Sequence, residues 1–288
     1  MKKKIVQSAL LGAILLNAPL SAMEFEWSVG VHDFMVMDIK DDDAHNYPHD
    51  DGISAGDSHT LGINTAIYVK HTTQTGINIV AKAEAFLDHD KDHLDPDHIP
   101  VWFDFSLDVD GDMYSINDAN TLRWYIALDN RQNTVSCVER EVRQHLGVGY
   151  EFNKSGFTFD AKILAGFYYI EFDDDTPVAR GYNREETDDG EASHVYVLRG
   201  AYKFNKDWSV EADFRHYAAN TGGDTLEDNA NALLTYKGSD MFGEGTTMNL
   251  KVKHVKYDIS RLNVHPLPIV PFDNDTLIQA YVTIPVEF

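Results

Sequence analysis

Histidine and aspartate side chains alternate in one polar segment of the chain, and both types can bind a metal ion. The candidate ligands lie between residues 88 and 98: Asp88, His89, Asp90, Asp92, His93 and His98. Imidazole together with carboxylate suits zinc, whereas carboxylates alone suit calcium. The spacing fits no metal-binding motif, so we expect weak surface binding of Ca²⁺ or Zn²⁺ and no resident cofactor.

Serine and histidine side chains could together form the nucleophile of a hydrolase. In an extended strand, two side chains share a face when they are two positions apart. Ser193 is directly followed by His194, and Ser58 by His59, so each pair points to opposite faces. The sequence therefore predicts that the protein is not an enzyme.

Charged side chains of both signs occupy alternate positions in several segments, with apolar residues between them. Asp104 and Asp108, for example, alternate with Phe103, Phe105 and Leu107. The charged positions that we predict to face a common interior include Asp104, Asp108, Arg123, Arg131, Arg143, Lys162, Arg199, Glu211, Asp213 and Arg215. An unpaired ion in a dry core costs several kcal/mol, so this interior must hold water.

Twelve segments have the two-residue periodicity of a strand with one apolar face. They cover residues 24–36, 61–70, 77–86, 101–109, 121–130, 142–152, 157–169, 196–204, 208–215, 230–237, 247–257 and 276–288. Short and long connections alternate between them, so the three aspartate-rich segments and a proline-rich one fall on the same side. This alternation predicts an all-β fold whose strands run up and down.

The last strand ends on an aromatic residue, Phe288, after an apolar face that includes Ile284 and Val286. This ending resembles the C-terminal assembly signal of Gram-negative outer-membrane β-barrels, with Tyr281 and Phe288 as the residues offered to the barrel-assembly machinery. The resemblance implies a transmembrane antiparallel β-barrel of about twelve strands, with ten or fourteen as alternatives. No particular family within this superfamily is indicated.

Residues 1–22 have the features of a secretory signal peptide, with three lysines, an apolar run and small residues up to Ala22. Residues 23–288 would then form the barrel. No later segment approaches the roughly 18 consecutive apolar residues of a membrane helix, so a membrane location requires a closed barrel. Cys137 is the single cysteine, which excludes an intramolecular disulfide.

The chain is strongly acidic. Its formal net charge is −23, and loss of Lys2, Lys3 and Lys4 with the signal peptide would bring it to −26. Such a charge disfavours nucleic acid as a partner and favours cations. The resemblance implies contact with outer-membrane lipid, and divalent cations would bridge the acidic segments to lipopolysaccharide.

The charged interior predicts an outer-membrane channel for passive diffusion of small hydrophilic solutes or ions. Asp104 and Asp108 facing Arg123 and Arg143 would resemble the constriction of general porins. The acidic outer segments predict a modest preference for cations. The alternative is a non-conducting barrel that binds surfaces or divalent cations through its loops, and an outer-membrane lipid hydrolase is less favoured.

Overall fold

The computed structural model describes residues 23–39, 56–89, 100–134, 137–173, 177–178, 180–220, 223–238 and 243–286. The predicted signal peptide, residues 1–22, lies outside the described residues, and so does Phe288. The strands are β1 (Glu24–Ile39), β2 (Gly56–Thr72), β3 (Asn78–Asp88), β4 (Val101–Asn117), β5 (Asn120–Gln132), β6 (Val138–Lys154), β7 (Phe157–Phe172), β8 (Asp188–Lys203), β9 (Trp208–Ala219), β10 (Thr225–Tyr236), β11 (Thr247–Tyr257) and β12 (Asn274–Val286).

The strands form one closed antiparallel ring in which each strand pairs with its neighbours in sequence. The first and last strands close the ring, with Phe25 opposite Val286 and Asp33 opposite Ile278. The predicted all-β, up-and-down barrel of twelve strands is therefore confirmed. In the described part of the chain, no helix has the length and apolar character needed to span a membrane.

Several strands extend further than the apolar alternation predicted. β10 begins at Thr225 rather than at Ala230, and β8 begins at Asp188, inside a segment expected to be a loop. Asp188 lies opposite Glu171 in the ladder between β7 and β8. Backbone hydrogen bonds between strands do not require apolar side chains, so pairing continues into the acidic segments.

The two faces of the barrel differ in polarity in the sense that the sequence predicted. On β1, Ser28 and His32 are buried inside, whereas Trp27 and Val31 are exposed on the outside. The exposed outer surface includes Ile63, Ile67, Leu146, Val148, Ile163, Leu198, Phe214 and Leu250. An apolar surface of this extent marks an interaction with a membrane or another apolar partner.

We call the rim where β1 begins and β12 ends the terminal rim, and the opposite rim the loop rim. At the loop rim, the connection between β11 and β12, residues 258–273, folds inward so that Ile269, Val270 and Phe272 are buried. The hydroxyl of Tyr182, from the β7–β8 connection, donates a hydrogen bond of 2.8 Å to the carbonyl of Leu267. The two connections thus support each other over the mouth of the barrel.

Candidate functional site

The interior near the loop rim is filled by a layer of charged and phenolic side chains that we call the closure layer. Its members are Arg131, Glu141, Arg143, Tyr168, Glu227, Tyr257 and Asp275, and all of them are buried. Arg131 on β5 donates hydrogen bonds to the Tyr257 hydroxyl at 2.9 Å and to Asp275 at 3.2 Å. Because β5 lies across the ring from β11 and β12, these contacts join opposite walls.

A second group of closure-layer contacts surrounds Arg143 on β6. Its Nε donates to Glu227 on β10 at 3.1 Å, and its guanidinium also pairs with Glu141. The Tyr168 hydroxyl donates to Glu227 at 3.0 Å and to Glu141 at 3.2 Å. Each carboxylate therefore has a cation and a phenol beside it, which offsets the cost of removing the charges from water.

Apolar side chains occupy the space around these charges. Trp102 stacks on Phe86 with ring centroids 3.5 Å apart, and Phe34 meets Trp102 edge to face. They belong to one contiguous buried cluster that includes Val255 and also Ile269 of the β11–β12 connection. The cross-section of the barrel is thus packed at this level.

One predicted metal ligand, Asp88, is buried beside this cluster. Its Oδ1 lies 2.6 Å from His32 Nε2 and 3.4 Å from Trp102 Nε1. Gly62 leaves the room for this histidine, since a Cβ there would lie 2.5 Å from His32 Cε1. The Asp88 side chain therefore contacts His32 and Trp102 inside the barrel and does not face the outer segment.

The other predicted metal ligands lie at or beyond the end of a described range of residues. His89 is the last described residue before the gap, and the remaining positions, Asp90, Asp92, His93 and His98, lie outside the described residues. Over the described ranges, no group of three or more His, Cys, Asp or Glu side chains could hold a metal ion. Surface binding of Ca²⁺ or Zn²⁺ by this segment stays a prediction.

Between the closure layer and the terminal rim, the interior holds a cavity of about 310 Å³. Its charged lining side chains are Lys82, Asp104, Asp108, Asp129, Arg143, Glu211, Asp213, Arg215, Lys251 and Lys253. Tyr68, Tyr281, Asn229 and Asn231 add polar groups that can form hydrogen bonds. The balance of five bases and five acids gives a polar chamber with little net charge.

The predicted pore-lining residues are distributed over three levels. Those that line the cavity are Asp104, Asp108, Arg143, Glu211, Asp213 and Arg215. Arg131 lies in the closure layer. Arg199 bridges Asp160 and Glu211, and Arg123 pairs with Asp110 and Glu151. Lys162 lies 4.1 Å from the centroid of the Tyr125 ring.

The expected constriction of Asp104 and Asp108 facing Arg123 and Arg143 is not formed. Asp104 instead lies 3.4 Å from Lys82 and 4.0 Å from Lys253. Lys82 is on β3, which is the other neighbour of β4, and the long Lys253 side chain reaches Asp104 from the distant strand β11. Sequence reasoning also omitted Glu141 and Glu227 from the interior. Their parity could have identified them, because Glu141 is two positions before Arg143.

A serine–histidine contact forms between two strands that are not neighbours in the ring. His145 Nε2 on β6 lies 2.8 Å from Ser193 Oγ on β8. Gly166 on β7 lies between them in both ladders, and its lack of a side chain lets the contact pass over the middle strand. Neither residue lines the cavity, and Ser193 is 0% exposed, so the contact has the character of a structural bond.

No protein-family model matches the chain, and no curated protein matches it. Similar solved structures include the KdgM porin in complex with disordered oligogalacturonate, 10% identical, covering 91% of this chain and 99% of that chain with a TM-score of 0.44. The NanC porin is 10% identical and covers 90% of this chain and 100% of that chain with a TM-score of 0.47. Outer membrane phospholipase A from Escherichia coli is 12% identical and covers 92% and 97% with a TM-score of 0.42.

Proposed function

We propose that the chain is an outer-membrane channel that is closed in this conformation, with the closure layer as its barrier. The observation that carries the proposal is the polar cavity of about 310 Å³ inside a ring whose outer surface is apolar. An interior lined by ten charged groups suits water and hydrophilic solutes, and an exterior of aliphatic side chains suits lipid. Small hydrophilic solutes or ions are the proposed permeants.

Opening would require the β11–β12 connection to leave the barrel mouth. Non-covalent contacts with the β7–β8 connection support it there, among them Tyr182 with Leu267 and His265 with Glu186 at 3.0 Å. Once Ile269, Val270 and Phe272 withdraw, the charged closure layer would face water from both sides. Its ion pairs would then lose much of the advantage that burial gives them.

The proposed selectivity is a modest preference for cations. The cavity itself contributes little, because its charged lining is balanced. The preference would arise at the loop rim, where acidic segments raise the local concentration of cations. It should disappear at high salt, since the Debye length falls to about 3 Å at 1 M.

Single-channel recording in planar bilayers tests the proposal. A variant in which residues 264–271 are replaced by a short Gly-Ser linker should open more often and conduct more than the wild-type protein. A matched control carries the same linker length in the β10–β11 connection, which lies at the terminal rim. If both proteins insert and neither conducts at any salt or voltage, the channel proposal is wrong.

A non-conducting barrel is the second candidate, and the packing of the closure layer favours it. In that case the loops would carry the function, with divalent cations bridging the acidic segments to lipopolysaccharide. Calorimetry with Ca²⁺ and Zn²⁺, on protein with and without residues 88–98, measures this binding. Equal uptake by both proteins would remove that segment from the proposal.

A further inference from the structure

Most charged side chains of the cavity are already paired. The pairs lie within 4.0 Å and include Lys82 with Asp104, Lys253 with Asp104, Arg215 with both Asp213 and Asp129, Arg199 with Glu211, and Arg143 with Glu227. These interactions neutralise eight of the ten charged lining groups. Such groups have little left to offer a ligand.

The other two charged lining groups are Lys251 and Asp108. Across the described ranges, neither has an ion-pair partner within 4.0 Å, although both line the cavity. They differ in sign, one being an ammonium and the other a carboxylate. The cavity therefore presents one unpaired charge of each sign.

These two groups lie on different walls. Lys251 is on β11 and Asp108 is on β4, which are separated by four strands on the shorter path around the ring. A ligand that meets both groups must span the chamber.

We propose that the cavity binds a small zwitterionic solute, with its carboxylate on Lys251 and its cationic group on Asp108. This inference rests on the proposed channel function and names a class of solute for it. Each unpaired charge gains a charge-assisted hydrogen bond when the solute binds. Because the two groups line one cavity from strands on different walls, a zwitterion whose charges are separated by several bonds should fit better than glycine.

The geometry disfavours a site for simple anions. Lys82 on β3 and Lys253 on β11 share Asp104, so Lys251 is the one lysine of the cavity lining without a carboxylate partner among the described residues. A monovalent anion would satisfy Lys251 and leave Asp108 as it is. A simple cation would do the converse, and a zwitterion satisfies both.

Isothermal titration of the folded protein in detergent tests the proposal with three probes that share a six-carbon chain: 6-aminohexanoate, hexanoate and hexylammonium. We expect 6-aminohexanoate to bind about tenfold or more tightly than either singly charged probe. Shorter ω-amino acids, down to glycine, should bind progressively more weakly. This series uses the wild-type protein and decides the matter without any variant.

Two neutral variants then assign the roles. Lys251→Met and Asp108→Asn should each lower the affinity for 6-aminohexanoate about tenfold, and the double variant should lower it by about the product of the two factors. Lys256→Met and Asp118→Asn are matched controls, because these residues are exposed and do not line the cavity. Folding of every variant is checked by its heat-modifiable electrophoretic mobility.

Three results would overturn the proposal. Hexanoate could bind as tightly as the zwitterion, hexylammonium could do so, or none of the three could bind at millimolar concentration. Titration in detergent does not depend on conduction, so a protein that binds and never conducts contradicts the channel function alone. A protein that conducts without binding the zwitterion contradicts this inference alone.

Discussion

The closure layer and the cavity are built from the same residue types, yet one is packed and the other is open. In the closure layer, the arginines reach carboxylates on distant strands, as Arg131 does with Asp275. Around the cavity, several pairs stay on one strand or on neighbouring strands, as with Arg215 and Asp213 or Arg199 and Glu211. Arg215 with Asp129 and Lys253 with Asp104 also join distant strands around the cavity, so the packing of the closure layer depends on the apolar cluster around its ion pairs as well as on cross-ring contacts.

Burial follows the same division. Glu141 and Glu227 of the closure layer are 0% exposed, whereas the Glu211 side chain of the cavity wall is 35% exposed. Phe34, Trp102 and Ile269 belong to the apolar cluster around the first group, whereas most side chains that line the cavity are charged or polar. The number of interior charges is therefore a poor guide to whether a barrel is open.

Replacing Arg143 should produce the largest difference between the two regions. Arg143→Met leaves Glu141 and Glu227 beside each other without their nearest cation, which should lower the free energy of unfolding by about 3–5 kcal/mol. Arg199→Met, in a partly exposed cluster, should cost at most about 1 kcal/mol. Urea unfolding monitored by tryptophan fluorescence measures both. Equal losses would show that the two regions are equally hydrated.

A methyl group on Gly166 should test how closely β6 and β7 are packed at this position. The Cβ of Gly166→Ala would overlap the Gln144 carbonyl on β6, so we expect a loss of about 1–3 kcal/mol. The His145–Ser193 contact should be lost as well. Gly200→Ala is the control, since no heavy atom lies within 4 Å of the added Cβ, and it should leave the unfolding midpoint unchanged. A tolerated Gly166→Ala would mean that β6 and β7 can move apart here.

Removing one tyrosine hydroxyl group from each region compares the two regions in the cost of losing a single hydrogen-bonding group. The Tyr257 hydroxyl is buried between Arg131 and Asp275, so Tyr257→Phe should cost about 1–2 kcal/mol. Tyr281 lines the cavity, where water can take the place of its hydroxyl, and Tyr281→Phe should cost less. Thermal unfolding of the two variants provides the test. A larger loss from Tyr281→Phe would reverse the assignment of dry and wet regions.

The smallest expected effect concerns the contact that supports the β11–β12 connection. The backbone N–H of Asn183 and the His265 side chain lower the pKa of Glu186 from its usual value. A carboxyl with a lowered folded-state pKa stabilises the fold above its unfolded pKa, and this contribution is lost as the pH falls through the lowered value. Hydrogen exchange in residues 258–273 should therefore increase under acid conditions. Glu186→Gln should reduce that pH dependence, and Glu185→Gln should not.

The inward and outward faces could be predicted from the sequence because the two-residue period is local. Trp102 and Asp104 face inward, and Phe103 and Phe105 face outward, because side chains alternate along a single strand. The closing of the ring was also predictable, since strand number and apolar exterior leave few alternatives.

The division of the interior was not predictable in the same way. Arg131 was expected to line a pore, but its partners on β11 and β12 depend on the curvature of the whole ring. The burial of Ile269 and Phe272 depends on a connection that folds into the mouth, and period-two alternation says nothing about connections. The apolar residues of the β11–β12 connection were the sequence feature that could have indicated this burial.

The ring can close only when β12 is available to pair with β1. Phe25 meets Val286, so the first strand waits without its second neighbour until the last one has been synthesised. Until then the growing sheet has two free edges, each a template for pairing with another chain. A chain shortened by a premature stop before β12 would keep both edges. Such a product should aggregate or be degraded by proteases instead of persisting as a smaller barrel.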